Sequence, residues 1–98
     1  MAGKTGVVIY GNEFCAYCAA ARMLFARKGV RFEDVPVGHG DGRRAEMEAR
    51  SGRRSVPQIF IGERHVGGFD DLCALDSSGE LDRLLGELAP NDQHQHQE

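Results

Sequence analysis

Residues 7–29 decide the fold, and they read VVIYGNEFCAYCAAARMLFARKG. Four β-branched or aromatic residues between two glycines are typical of a short buried strand, here 7–10. After a short loop, residues 15–28 are rich in Ala, Leu, Met and Arg, which are strong helix formers, and Gly29 follows as a helix-ending residue. One face of this predicted helix is apolar and is expected to lie in the core. Its members are Phe14, Cys18, Ala21 and Phe25.

The rest of the chain continues to alternate strands and helices. Residues 30–37 have apolar residues at alternating positions and predict a second strand, which Pro36 places near a sheet edge. The later elements are a helix at 43–51, a hairpin of strands at 58–61 and 64–66, and helices at 70–75 and 81–88. This β-α-β-α-β-β-α-α order predicts an α/β fold that begins with a right-handed parallel βαβ unit and continues with an antiparallel hairpin.

Length and composition limit the protein to one domain, which we expect over residues 1–89, followed by a polar tail at 90–98. Of its 98 residues, 41% are hydrophobic and 28% are charged, as in a typical soluble globular domain. The net charge of −3 argues against nucleic-acid binding, and no apolar run approaches the ~20 residues of a membrane span. The stretch ahead of the first strand is too short for a secretory signal, so we expect a cytoplasmic protein. We also expect it to be a monomer with no membrane or nucleic-acid partner.

Cys15 and Cys18 are the strongest chemical signal in the sequence. Three cysteines are too few for a secreted disulfide scaffold, and a Cys-x-x-Cys pair that follows a strand and opens a helix is typical of a redox site. Unpaired N–H groups and the helix dipole favour a thiolate at the start of a helix, so we expect a lowered pKa at Cys15. Cys15 is therefore predicted to be the exposed nucleophile. Cys18 lies almost one turn later, on the core face, and is predicted to be the resolving thiol.

The same pair of cysteines fits two other kinds of site. A structural zinc ion normally takes four ligands, but the sequence contains only one Cys-x-x-Cys and no histidine pair placed to complete the set. The pair could instead be two inert core cysteines, although this spacing directly after a strand rarely arises by accident. We therefore favour the redox interpretation.

Three blocks of the sequence resemble the dithiol glutaredoxins, small proteins of thioredoxin fold that use glutathione. The blocks are Ile9-Tyr10 ahead of Cys15-Ala16-Tyr17-Cys18, SVPQIFI at 55–61 and GGFDDL at 67–72. The resemblance spans roughly residues 6–88 and is strongest to the small bacterial members. It implies a thioredoxin-like fold, with a four-stranded mixed sheet and helices on both faces, and the activity of a glutathione-dependent thiol–disulfide oxidoreductase.

The resemblance also implies how the cysteinyl part of glutathione is held. The family's proline at the position of Pro57 is cis and lies beside the active-site cysteine. A cis X–Pro bond leaves the backbone N–H and C=O of Val56 able to pair with an extended peptide, like an added strand. Without the resemblance, Pro57 could be an ordinary turn proline ahead of a strand. Tyr17 is expected to pack beside bound glutathione, although taken alone it could be a partly exposed aromatic residue.

The charged ends of glutathione are implied to meet two further regions. Backbone N–H groups around Gly68, Phe69 and Asp70, ahead of a helix, would hold the glutamyl carboxylate, and Asp70 or Asp71 would hold the ammonium group. These aspartates could also simply cap the helix. Arg44 is implied for the glycyl carboxylate, although neighbouring arginines could take that role or form only a solvated face. These neighbours are Arg43, Arg50, Arg53 and Arg54.

The chain departs from the common family pattern at several positions. Asn12 stands where many members have Lys, so hydrogen bonding to glutathione is kept but a charge is lost. Ala16 stands where many have Pro, and such motifs are associated in the family with a glutathione-ligated [2Fe–2S] cluster that bridges two subunits through Cys15. Phe69 stands where many have Cys. Cys73, in a predicted helix, is expected to be a small core residue rather than a regulatory thiol.

We therefore predict that Cys15 and Cys18 reduce protein disulfides and glutathione mixed disulfides. Glutathione would be the co-substrate, and glutathionylated proteins would be partners. The alternatives are a dimeric carrier of a [2Fe–2S] cluster and a thioredoxin-like reductase served by a flavoprotein. The second alternative would have no use for the block at 67–72.

Overall fold

The structure is a computed structural model that describes residues 6–38 and 42–87. Within these ranges the chain forms four strands and four helices in the predicted order. They are β1 (Val7–Gly11), α1 (Ala16–Arg27), β2 (Phe32–Pro36), α2 (Gly42–Ser51), β3 (Gln58–Ile61), β4 (Arg64–Gly67), α3 (Phe69–Ser78) and α4 (Glu80–Gly86). Leu88, the predicted end of the last helix, and the predicted tail at 90–98 lie outside the described residues.

The four strands form one mixed sheet in the order β2-β1-β3-β4. β1 pairs with β2 in parallel and with β3 in antiparallel orientation, and β3 pairs antiparallel with β4. The parallel βαβ unit and the antiparallel hairpin are therefore confirmed. β1 is buried along its whole length because it lies inside the sheet, whereas β2 is the edge strand that Pro36 predicted.

The core lies on both faces of this sheet because successive β1 side chains point in opposite directions. Val7 and Ile9 pack into the larger cluster, with residues of α1, α3 and α4, whereas Val8 and Tyr10 pack into a smaller cluster with Met47 of α2. Helices on both faces, as a thioredoxin-like fold requires, are confirmed. None of the helices in the described part of the chain is both long and apolar enough to cross a bilayer.

Two residues predicted to be buried are not. Phe14, assigned to the core face of α1, is 91% exposed. It precedes the helix, which begins at Ala16, and its backbone N–H donates to the Asn12 side chain at 3.0 Å in a turn. Helical periodicity therefore does not apply to it. Cys73 is also exposed, because α3 turns the neighbouring Leu72 into the core instead.

Three loops meet at one end of the sheet, where β1 and β4 end and β3 begins. The register pairs Tyr10, near the end of β1, with Gln58 at the start of β3, and Ile59 with Gly67 at the end of β4. The β1–α1, α2–β3 and β4–α3 connections therefore lie at this end of the sheet. These connections contain Cys15, Pro57 and Gly68, one residue from each of the three family-like blocks.

Position 67 is restricted to glycine both by its backbone conformation and by the atoms that surround it. Its φ is +116°, a conformation that favours glycine, and a methyl group there would overlap the Asp71 carboxylate. Gly29 also has a positive φ, +73°, but a methyl group there would meet no atom within 4 Å. Substitution at Gly29 would therefore introduce backbone strain alone, whereas substitution at Gly67 would introduce both backbone strain and steric overlap.

We expect Gly67→Ala to lower the free energy of unfolding by about 2–4 kcal/mol, because strain and overlap act together. Gly29→Ala, the matched control, should cost only about 1–2 kcal/mol, since strain acts alone. Urea unfolding of both variants measures the difference. Equal losses at the two positions would contradict the overlap with Asp71.

Candidate active site

The two thiols of the Cys-x-x-Cys pair sit at the first turn of α1. Cys15 is the N-cap residue, with extended backbone (φ −94°, ψ 119°), and its sulfur accepts a hydrogen bond from the Cys18 backbone N–H at 3.3 Å. An N-cap side chain of this kind satisfies an otherwise unpaired helix donor. Cys15 is partly exposed, whereas Cys18 is fully buried, as its position on the core face predicted.

The surroundings of Cys15 favour its thiolate. Burial acts to raise the pKa of the Cys15 thiol, but hydrogen bonds to the sulfur more than offset it, and the pKa falls below its ordinary value. The donors are the Cys18 thiol and the backbone N–H groups of Cys18 and Tyr17, and the Arg22 guanidinium adds a favourable charge. A thiolate is the reactive form in disulfide exchange, so this site can supply a nucleophile.

Cys18 is tuned in the opposite direction. Burial raises the pKa of the Cys18 thiol to about 11, and its hydrogen bond to Cys15 acts in the same sense. The sulfur has room because residue 11 is glycine, where a Cβ atom would lie 2.5 Å from it. The shared proton therefore stays on Cys18, and the negative charge falls on Cys15.

A groove of about 250 Å³ lies beside Cys15. The Cys15 sulfur is 4.0 Å from the carbonyl oxygen of Val56, at the wall of this groove. The Val56–Pro57 peptide bond is cis, as the resemblance implied. The lining residues come from the first turn of α1, the α2–β3 loop and the start of α3 with the residue before it: Tyr17, Arg53, Ser55, Val56, Pro57, Gly68, Phe69, Asp70 and Asp71.

The far end of the groove is the start of α3. The Asp71 carboxylate accepts a hydrogen bond from the Gly68 N–H at 3.0 Å and pairs with Arg53 at 3.3 Å. These two contacts, the N–H bond first, lower the pKa of Asp71. Asp71 therefore caps the helix, the simpler of its two predicted roles, whereas the neighbouring Asp70 is exposed on the groove wall.

Two aromatic rings form the apolar side of the groove. The ring centroids of Tyr17 and Phe69 lie 6.0 Å apart with a tilt of 31°. Tyr17 is 62% exposed even though it touches this partner. A flat apolar surface beside a nucleophile suits a ligand that is part peptide and part hydrocarbon.

Two residues that the resemblance implied for ligand binding are not among the residues that line the groove. Arg44 donates to the backbone carbonyls of Gly38 and Arg54, both at 2.9 Å, and so ties α2 to the segment that precedes the cis proline. Asn12 accepts from the Phe14 N–H and lines a separate surface depression.

Arg53 and Ser55 line the groove, although the sequence pointed to Arg53 only as a neighbour of Arg44 and to Ser55 only as part of the block at 55–61. Their short distance in sequence from Pro57 was the signal that could have found them. A connection of so few residues keeps its backbone near the groove, although Arg54, between the two, does not line it.

Comparison with known proteins agrees with this geometry. Residues 7–66 match the family model described as "Glutaredoxin". The chain is 52% identical over 79 residues to "Glutaredoxin 3" of Escherichia coli K12, a match that covers 81% of this chain and 95% of that protein. It is 49% identical over 79 residues to "Glutaredoxin" of Pseudomonas aeruginosa, covering 81% and 94%.

Solved structures give the same result. The chain is similar to the solution structure of glutaredoxin from Brucella melitensis, with 48% identity, a TM-score of 0.71, and coverage of 91% of this chain and 100% of that one. It is also similar to a crystal structure of a buckwheat glutaredoxin–glutathione complex, with 31% identity, a TM-score of 0.75, and coverage of 83% and 76%. The resemblance stated from the three sequence blocks is confirmed.

Cys18→Ala should raise the pKa of Cys15, because it removes the thiol that donates to the Cys15 sulfur. Cys18→Ser, the matched control, keeps a donor and should leave the pKa of Cys15 lower than in the alanine variant. Both are made in a Cys73→Ser background, and the rate of Cys15 alkylation is followed against pH. The same pKa in both variants would show that the side chain of residue 18 does not tune Cys15.

Asp71→Asn should lower the free energy of unfolding at pH 7 by about 0.5–1 kcal/mol, through the lost charge at the helix cap. The folded pKa of Asp71 is lowered, so its contribution is present above the unfolded value and is lost as pH falls through the folded one. Variant and wild type should therefore converge once the pH falls below the folded pKa of Asp71. Urea unfolding with Asp70→Asn as control tests this, and a loss that persists in acid would contradict it.

Proposed function

The chain belongs to the glutaredoxin family and is a thiol–disulfide oxidoreductase, and from that premise we propose that glutathione is its co-substrate. The observation that carries the proposal is one groove that runs from the Val56 backbone, whose carbonyl oxygen lies 4.0 Å from the Cys15 sulfur, to the start of α3. Glutathione is an extended tripeptide with a central thiol, two carboxylates and an ammonium group. The thiol, the glutamyl carboxylate and the ammonium group each have a matching partner along the groove.

The cysteinyl part of glutathione is proposed to pair with the Val56 backbone beside Pro57, which places its sulfur next to Cys15. The glutamyl carboxylate takes N–H groups of the first turn of α3, those of Phe69 and Asp70, because Asp71 already accepts from Gly68. The exposed Asp70 carboxylate holds the ammonium group.

Arg53, which pairs with Asp71 at 3.3 Å, adds positive charge at this glutamyl end of the groove, and the partner of the glycyl carboxylate stays a prediction. Arg44, the position implied by the resemblance, is proposed to act by shaping the loop through its bond to the Arg54 carbonyl. Tyr17 covers the bound tripeptide with its ring. Asn12 stays a prediction as a ligand-binding residue.

The reaction begins with a glutathione mixed disulfide of a protein. The Cys15 thiolate attacks the glutathione sulfur, a Cys15–glutathione disulfide forms, and the protein leaves as a thiolate that takes a proton from water. A second glutathione thiolate then attacks the glutathione sulfur held on Cys15. Glutathione disulfide leaves, and the Cys15 thiolate is restored.

Protein disulfides are reduced through both cysteines. Cys15 forms a mixed disulfide with one sulfur of the substrate, and Cys18 attacks the Cys15 sulfur after it loses its proton. The reduced substrate leaves, a Cys15–Cys18 disulfide forms, and two glutathione molecules reduce it with release of glutathione disulfide. Burial favours the protonated form of Cys18, so the attack by Cys18 requires that its proton be removed first. We propose that the chain works as a monomer in the cytoplasm, where glutathione is abundant and thiols stay reduced.

The second hypothesis, a dimer that carries a [2Fe–2S] cluster, would use Cys15 as ligand, since Cys15 is the accessible thiol favoured as a thiolate. Within residues 6–38 and 42–87 no three His, Cys, Asp or Glu side chains are grouped to hold a metal. Glutathione and a second copy would therefore supply the other ligands. Visible absorption after anaerobic reconstitution with glutathione distinguishes this carrier from the oxidoreductase.

Cys15→Ser should reduce turnover of a glutathionylated peptide to the uncatalysed rate, because the nucleophile is lost. Cys18→Ser should stay within about threefold of wild type on that substrate, yet lose reduction of a protein disulfide. Glutathione with glutathione reductase is the only source of electrons in this assay. An active Cys15→Ser variant would reverse the roles of the two cysteines, and an inactive wild type would point to a thioredoxin-like reductase.

A further inference from the structure

Gln58 is the one polar or charged side chain that is fully buried among the described residues. It opens β3, whose other three residues are apolar and also buried. Burying an amide costs free energy unless its donors and acceptor are paired, so an apolar residue would be the default at this position. The mechanism above does not use this amide.

The hydrogen bonds of Gln58 connect the sheet to the groove. Its Nε2 donates to the Ser55 carbonyl at 3.0 Å and lies 3.2 Å from the Ser55 hydroxyl. Because a carbonyl can only accept, the amide nitrogen must face Ser55 and the amide oxygen must face the other way. That oxygen lies 2.8 Å from Nε2 of His65, which must therefore carry a hydrogen and donate it.

His65 is itself held in place on β4. Its ring packs against the ring of Phe60, with centroids 4.9 Å apart, and the Arg50 guanidinium lies 4.0 Å over the same Phe60 ring. Burial first, and then the charge of Arg53, lower the pKa of His65. At neutral pH the ring is therefore neutral and presents a fixed Nε2–H to Gln58.

We propose that His65, acting through Gln58, is a positioning residue for the glutathione groove. The His65–Gln58–Ser55 chain fixes Ser55, which lines the groove and directly precedes Val56. It therefore fixes the edge of backbone that pairs with the cysteinyl part of the ligand. This inference rests on the proposed function, because it assigns a role within that same groove.

The His65–Gln58–Ser55 hydrogen-bond chain should govern substrate binding rather than the reactivity of Cys15. The hydrogen bonds that lower the pKa of Cys15 come from α1, from the thiol and N–H of Cys18 and the N–H of Tyr17. None of these donors belongs to the His65–Gln58–Ser55 chain. Loss of the hydrogen bonds in that chain would allow Ser55 and Val56 to move and would weaken substrate binding, whereas the Cys15 thiolate would be unchanged.

Two variants interrupt this hydrogen-bond chain at different residues. His65→Phe keeps a ring against Phe60 but removes the donor, and Gln58→Met keeps the volume but removes the amide. Each should raise KM for a glutathionylated peptide about fivefold, the effect of one lost hydrogen bond, with kcat within twofold and the pKa of Cys15 unchanged. The double variant should show no further increase, because both changes cut the same chain.

Val66→Ala is the stability-matched control. Val66 follows His65 on β4 and packs against the larger core cluster, so its truncation should destabilise the fold without changing KM. Unchanged KM in both chain variants, additive effects in the double variant, or an equal rise in Val66→Ala would each overturn the proposal. An inactive wild type would instead reject the proposed function itself.

Discussion

The hydrogen bond from the Cys18 backbone N–H to the Cys15 sulfur, 3.3 Å long, is the contact around which the site is organised. It makes Cys15 the cap of α1, and so it fixes where the helix begins and where the sulfur lies. The same contact places the sulfur at the positive end of the helix dipole, where a negative charge is stabilised. One interaction thus serves the local folding of α1 and the chemistry of the thiolate.

The two sulfurs of the site divide the work because their surroundings differ. Cys15 lies at the groove with several donors around it, whereas Cys18 is enclosed beside Gly11 and keeps its proton. A site built this way favours the thiolate at Cys15 and keeps the proton on the second thiol, Cys18.

The groove depends on the order of strands in the sheet. β1 and β3 are neighbours and run in opposite directions, so the end of β1 lies beside the start of β3. β4 runs antiparallel to β3, so β4 also ends at this end of the sheet. This arrangement brings the thiolate, the Val56 backbone and the start of α3 together from distant parts of the sequence. Arg53 and Asp71 then join the α2–β3 loop to α3 across the groove, and Gly67 leaves the space that their contact requires.

The sequence by itself determined the elements, the Cys-x-x-Cys chemistry and the family, because strand runs, helix periodicity and turn residues act over a few neighbouring positions. It placed Cys18 in the core correctly and Phe14 incorrectly, since the pattern could not show that the helix begins only after Cys15. Only the tertiary structure decided which arginine lines the groove, that Asp71 caps α3, and that Gln58 links His65 to Ser55. Long polar side chains can reach many partners from the same backbone position, and packing between distant elements selects among them.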